Sequence, residues 1–153
     1  MYKVCSERKK DDIEMRKVYS STLLELMKKD ERIIVLEADL MSSMTTDSIQ
    51  KELPGRVINS GIMEAHIAGM AGGMAIAGKI PFFHTFTAFA SRRCFDQLFM
   101  SISYQKNNVK IIASDAGVTA VHNGGTHMSF EDMGIVRGLA GAVVLEVTDG
   151  VMV

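Results

Sequence analysis

Between Gly61 and Gly78 the chain carries eighteen residues and only two ionisable side chains, Glu64 and His66. Every other residue there is glycine, alanine, isoleucine or methionine. So apolar a stretch belongs inside the protein. Burying an unpaired carboxylate costs several kcal/mol, so Glu64 must be paired, protonated or used chemically. The pattern predicts a helix with Glu64 in its first turn, where the helix dipole favours negative charge. Each glycine inside a helix costs up to about 1 kcal/mol relative to alanine. The bare face of Ala65, Ala68, Gly69, Gly72, Gly73 and Ala77 therefore needs a packing reason. Close approach of another helix across a subunit interface is one; close packing on the chain's own sheet is the other.

Around this helix, short apolar runs alternate with helical patterns. Residues 12–29 place Ile13, Val18, Leu23, Leu24 and Met27 near helical spacing, with Asp11 or Asp12 as caps. Strands are expected at 33–36, 56–59, 80–83, 109–113 and 143–147. Further helices are expected at 46–52, 88–105 and 129–139, the last with Ser129 as cap and Asp132 in capping-box position. Continuous apolar strands separated by helices predict an α/β three-layer sandwich around a mainly parallel sheet. In such a sheet the crevice lies where chain leaves the carboxyl ends of strands. Loops 37–46, 59–64, 84–92 and 114–127 are the polar or aromatic ones. Residues 1–11 read as a polar leader and 12–153 as one domain. A doubly wound domain has at least one more helix and strand, so this domain is expected to be cut short at its C-terminal end.

Bulk properties exclude several classes. The chain has 153 residues and a formal net charge of -1, which offers no footprint for nucleic acid or an anionic membrane. The run 67–78 is too short and glycine-rich to span a bilayer. No secretory h-region is visible, and Cys5 and Cys94 have no CxxC spacing, as expected of reduced thiols in the cytoplasm.

Other residues have chemistry without a self-evident role. Phe86 and Phe89 follow a strand and can stack a planar heterocycle or fill the core. His127 ends the Gly124-Gly125-Thr126 run, a loop suited to presenting an imidazole. Arg16, Asp39, Ser42 and Ser43 each pass for ordinary surface residues.

Taken together, these stretches resemble the pyrimidine-binding domain of the transketolase family of thiamine-diphosphate enzymes. The resemblance runs from about Arg16 to Val153. It rests on Arg16-Lys17, Glu37-Ala38-Asp39-Leu40, Arg56 to Glu64, Gly78 to Phe82, Thr85 to Phe89, Phe95-Asp96-Gln97 and Gly125-Thr126-His127, in that order and spacing. It implies that Glu64 bonds the N1′ nitrogen of the cofactor's aminopyrimidine and promotes its imino tautomer. It implies that Phe86 and Phe89 hold the pyrimidine ring, with Arg92 where a third aromatic often stands. Asp39 would help to hold the cofactor and the subunit contact. His127 would contact sugar hydroxyls, and Arg16 and Ser43 would bind the sugar phosphate. Asp115 replaces a phosphate-contacting histidine and Asn123 an aspartate that reads hydroxyl configuration, so the sugars can differ from the standard pentose phosphates.

The family's Gly-Asp-Gly motif for Mg²⁺ and diphosphate has no counterpart here; Thr148-Asp149-Gly150 is a poor substitute. The resemblance therefore implies a split enzyme. Its diphosphate-binding subunit would hold Mg²⁺, this chain would hold no metal, and a homodimer through the Gly61–Gly78 helix is open. The implied activity is transfer of a two-carbon ketol unit between sugar phosphates. The alternatives are a deoxyxylulose-phosphate-synthase-like subunit, suggested by Ser114-Asp115-Ala116-Gly117, a 2-oxoacid-dehydrogenase-like subunit, or a non-catalytic assembly domain.

Overall fold

In the computed structural model, residues 10–153 are described. The expected leader falls almost wholly outside them, as does Cys5. Four strands, β1 (Ile33–Glu37), β2 (Val57–Asn59), β3 (Ile80–Phe86) and β4 (Lys110–Ser114), form one sheet in the order β2-β1-β3-β4. Every pairing is parallel. The expected α/β sandwich is therefore formed. One face packs α1 (Met15–Lys29), α2 (Met41–Met44) and α3 (Asp47–Glu52) through Tyr19, Leu23, Met27, Val35 and Ile49. The other packs α4 (Glu64–Ile76) and the helical turns after β3 through Leu36, Ile67, Ala71, Phe83 and Leu98.

Helix α1 forms because Tyr19, Leu23 and Met27 recur every four residues and share the buried face. Its N-cap is Glu14, whose side chain makes no capping bond, so neither Asp11 nor Asp12 caps it. Its C-terminal end is closed by Arg56. That guanidinium donates to the carbonyls of Met27 and Asp30 at 2.7 Å and of Ile33 at 2.8 Å. One side chain so satisfies helix-end acceptors and anchors the start of β1.

The winding of the sheet reverses at β1. β2 lies on one side of it and β3 and β4 on the other. The crevice expected at such a switch opens beyond the carboxyl ends of β1 and β3. There Glu37 pairs in register with His84.

Helix α4 begins at Glu64, as its charge and the helix dipole favour. Its small residues do not act as one face. Gly72 is buried, and a Cβ there would stand 2.5 Å from the Ser101 carbonyl oxygen. Gly69 and Gly73 have nothing from the described residues within 4 Å of that position. The close approach is thus made by the chain's own helical segment after β3, and a second side of the helix stays open.

Three expected elements differ. The helix expected at 88–105 is broken into π-helical turns at Phe89–Arg93 and Leu98–Ser103, flanking α5 (Phe95–Gln97). An i→i+5 pattern accommodates an extra residue per turn, and it changes which neighbours share a face. Ser129 caps no helix, because α6 spans only Asp132–Val136. Ser129 is buried and clasps a loop instead: its N–H donates to the Gly117 carbonyl at 3.0 Å and its hydroxyl accepts from the Gly117 N–H at 3.2 Å. The run 143–147 forms no strand, and Val143 and Leu145 are 84% and 76% exposed. Its composition favours extension, but a strand is stabilised by ladder and cross-strand partners, and none of the described strands pairs with it.

The Gly72 contact can be tested by urea unfolding. Gly72→Ala should cost about 1–3 kcal/mol through overpacking against backbone. Gly73→Ala, in open space, should be neutral or gain up to about 1 kcal/mol from helix propensity. Equal effects at the two positions would refute the internal contact.

Candidate functional site

Two buried carboxylates lie at the carboxyl end of the sheet, on opposite faces. Side chains alternate along a strand, so neighbours on β3 serve both. His84 reaches Glu37 and Thr85 reaches Glu64.

Glu37 is fully buried. Its Oε1 accepts from the Thr46 hydroxyl at 2.6 Å, and its Oε2 lies 2.8 Å from Nδ1 of His84. His84 Nε2 lies 3.1 Å from the Ser114 hydroxyl. An ionised carboxylate only accepts, so Nδ1 carries hydrogen and, in neutral imidazole, Nε2 accepts from Ser114. The Ser114 carbonyl in turn accepts from the Thr87 hydroxyl at 2.8 Å. This chain of bonds joins the ends of β1, β3 and β4 beneath loop 114–127. Tyr19 lies close by. Burial first, and then the charge of Glu37, push its phenol far above its ordinary range. Its hydroxyl is buried without a partner among the described residues.

Glu64 is 2% exposed at the start of α4. Its Oε1 accepts from Arg93 Nη1 at 2.8 Å and lies 3.5 Å from the Thr85 hydroxyl. Among the described residues its Oε2 has no hydrogen-bond partner. Glu64 is one of the residues lining an open recess of about 550 Å³, with Ile62, Met63, Ala65, His66 and Arg93. The Arg93 guanidinium lies 3.7 Å from the centre of the Phe89 ring. Phe89 sits edge-on to Phe86 at 5.9 Å and 5.0 Å from His127, with Phe86 and His127 5.4 Å apart. Beneath this group, burial and then the Glu64 charge push the Cys94 thiol up to about 12. It is an inert packing residue that donates to the Ala90 carbonyl. A second recess, lined by Met133, Arg137, Ala142 and Val144, offers one arginine and no acid or base.

Residues read from the sequence do not all come together. Glu64, Phe86, Phe89 and His127 gather in one region, with Phe86 ending β3 rather than lying in a loop. Arg16 and Ser43 meet at the opposite face, where Arg16 Nη1 donates to the Ser43 carbonyl at 3.2 Å. Asp39 is exposed with φ 63°, and its N–H donates to Asn59 Oδ1 at 3.0 Å. The same oxygen accepts from the Gly61 N–H at 3.1 Å, so Asn59 ties loop 37–46 to loop 59–64. Asp115, with φ 55°, and Asn123 are exposed, and neither side chain bonds to a described residue. Arg92 is engaged elsewhere. It donates to Glu131 at 2.9 Å and to the Met128 carbonyl at 3.1 Å, tying the π-helical turn to the chain before α6.

Arg93, His84, Glu37 and Asn59 were not singled out as site residues by sequence reasoning. A signal existed for the Glu37–His84 pair, since each is the polar residue of an apolar strand and parallel pairing brings both to the crevice end. None existed for Arg93 over Arg92, because the choice depends on the π-helical turn.

The sequence and the fold match known proteins. Residues 11–153 match the family model "Transketolase, pyrimidine binding domain". The chain is 49% identical over 135 residues to the "6-deoxy-6-sulfo-D-fructose transketolase subunit SqwH" of Clostridium sp. (strain MSTE9), covering 88% of this chain and 42% of that protein. It is 44% identical to the "Putative transketolase C-terminal section" of Methanocaldococcus jannaschii, covering 88% and 43%. The solved "Split gene transketolase, inactive beta4 tetramer" superposes with TM-score 0.70 at 40% identity, covering 82% of this chain and 40% of that one. The chain belongs to the transketolase family and constitutes its pyrimidine-binding domain. It spans less than half the length of these relatives. No helix among the described residues is long and apolar enough to cross a membrane.

The Glu37–His84 pair makes a stability prediction. His84→Ala should cost about 3–5 kcal/mol in urea unfolding, because it strands a buried charge. Adding Glu37→Leu should restore a large part of that loss. A cost below about 1 kcal/mol for His84→Ala would mean that the pair is not closed in solution.

Proposed function

We propose that this chain supplies the aminopyrimidine half of a thiamine-diphosphate site in a two-chain transketolase. The observation that carries the reading is the Glu64 carboxyl: nearly buried, held through one oxygen, with no partner on the other among the described residues, in a residue that lines an open recess and, through Arg93, adjoins the Phe86–Phe89–His127 group. Such an acid fits a basic ring nitrogen that would satisfy the spare oxygen, and the aromatic rings fit a planar heterocycle. The cofactor, when bound, supplies thiazolium chemistry that moves a two-carbon ketol unit between sugars.

The chain's own residues do the rest. Glu64 holds a proton at the ring nitrogen, in surroundings dry enough for that bond to be strong. Phe86 and Phe89 set the plane of the ring. Asp39 contacts the cofactor and the neighbouring subunit. Arg92 braces the aromatic turn from behind through Glu131. His127 handles sugar hydroxyl protons, and Asp115 and Asn123 read the hydroxyls at the mouth of the site. Arg16, beside Ser43, takes the anionic end of the sugar. Diphosphate and Mg²⁺ would be held by a diphosphate-binding subunit, a reading supported by the relatives named as a transketolase subunit and a transketolase C-terminal section. The open side of α4 suits a subunit contact, with that chain or in a homodimer. The reading places the enzyme in the cytoplasm.

The positions of Arg16 and Ser43 imply, by the family resemblance, a phosphate at the anionic end. The relative named for 6-deoxy-6-sulfo-D-fructose makes a sulfonate the second reading. In the complex with a diphosphate-binding subunit, Glu64→Ala should lower ketol transfer at least about 100-fold with either sugar. Substantial residual transfer would refute the role of Glu64. Comparing kcat/KM for fructose 6-phosphate and its 6-sulfonate counterpart decides the anion, and transfer from pyruvate alone would instead favour a synthase-like reaction.

A further inference from the structure

Arg93 touches the one acid on which the proposed chemistry depends, and no part of that reading requires it. Its side chain is only partly covered, at 43% exposure, while that of its partner Glu64 is 2% exposed. The pair is therefore asymmetric: a solvated cation reaches in to meet an anion that has little water of its own. Contact is made at one point, Nη1 to Oε1 at 2.8 Å. Thr85 lies on that same oxygen, at 3.5 Å. Both donors thus converge on Oε1, and Oε2 has no hydrogen-bond partner among the described residues. The guanidinium is held as well, because its carbon lies over the Phe89 ring, 3.7 Å from the centroid, where cation and ring attract. Phe89 and Arg93 stand four residues apart in one helical turn, a spacing that brings them to one face.

We infer that Arg93 is the positioning residue of the site: it pins Glu64 by Oε1 so that Oε2 faces the incoming ring nitrogen, and it couples that aim to the aromatic turn. The inference rests on the cofactor reading above. Without Arg93, Glu64 has several rotamers and one weak tether to Thr85. A carboxyl that moves by an ångström no longer meets its partner, although the pocket still admits the ligand. Lysine offers donors without the planar fork, so it can hold Oε1 but not stack as guanidinium does.

The test uses the complex with a diphosphate-binding subunit and four forms of this chain: parent, R93A, R93K and E64A. Thiamine diphosphate affinity is measured by titration calorimetry. Exchange of the cofactor's C2 proton for deuterium is followed by quenched-flow NMR, which reads the activation step apart from sugar turnover. R93A should bind the cofactor within about threefold of the parent yet exchange about 100-fold more slowly, as expected for a misaimed group. R93K should recover part of the exchange rate. A crystal structure of R93A should show the Glu64 carboxyl turned from its place. Tighter binding with unimpaired exchange in R93A would make Arg93 a placeholder that leaves on loading, and would overturn the inference. E64A exchanging as fast as the parent would instead overturn the cofactor reading itself, a distinguishable failure.

Discussion

A carboxylate taken out of water must be met by donors, and this small domain buries two of them at the same end of one sheet. Glu37 and Glu64 are 0% and 2% exposed. The strands, loops and turns near the crevice are arranged around satisfying them. Glu37 has both oxygens engaged, by Thr46 and His84, and is closed off in the core. Glu64 has one oxygen engaged, by Arg93, and the other unmatched among the described residues. The contrast separates structure from function more sharply than burial does. A fully satisfied acid stabilises a particular packing, whereas a half-satisfied acid beside a recess retains bonding capacity for a ligand.

Strand β3 links the two. Its alternation sends His84 to one face and Thr85 to the other, and its last residue, Phe86, starts the aromatic group. A one-residue slip in its register would exchange those faces, moving His84 toward Glu64 and leaving Glu37 unpaired. The Glu37–His84 bond thus acts as a register lock. It makes the correct alignment of β1 with β3 the only one that pairs both buried acids. The pair's value lies in specificity of alignment as much as in net stability, since buried ion pairs often gain little of the latter.

Much of this was legible in the sequence because it follows from local pattern. Four short apolar runs became the four parallel strands, and the acid at the head of the Gly61–Gly78 stretch became the first residue of α4. Phe86, Phe89 and His127 stand out in the sequence as candidates, and their rings do gather. What was illegible depends on partners distant in sequence or on non-standard turns. Residues 143–147 have strand composition but lack a ladder, which composition cannot supply. Ser129 and Asp132 have capping-box spacing, yet Gly117, twelve residues earlier, claims the serine. Gly72 needed its space for Ser101, while Gly73 beside it did not, and the two are indistinguishable as letters.

The two adjacent arginines carry that lesson furthest. Ser91-Arg92-Arg93 reads as a solvated polar run, and a regular helix gives no reason to prefer either cation. The π-helical turn resolves the ambiguity by rotating one toward Phe89 and Glu64 and the other toward Glu131. A wide turn has poorer hydrogen-bond geometry than an α-helix, so it persists only where tertiary contacts compensate. Here the compensation is electrostatic on both sides of the turn: Arg92 is held by Glu131 and Arg93 by Glu64. The irregular segment and the acid therefore define one another. Glu64 gives the turn a reason to exist, and the turn gives Glu64 its only charged partner among the described residues.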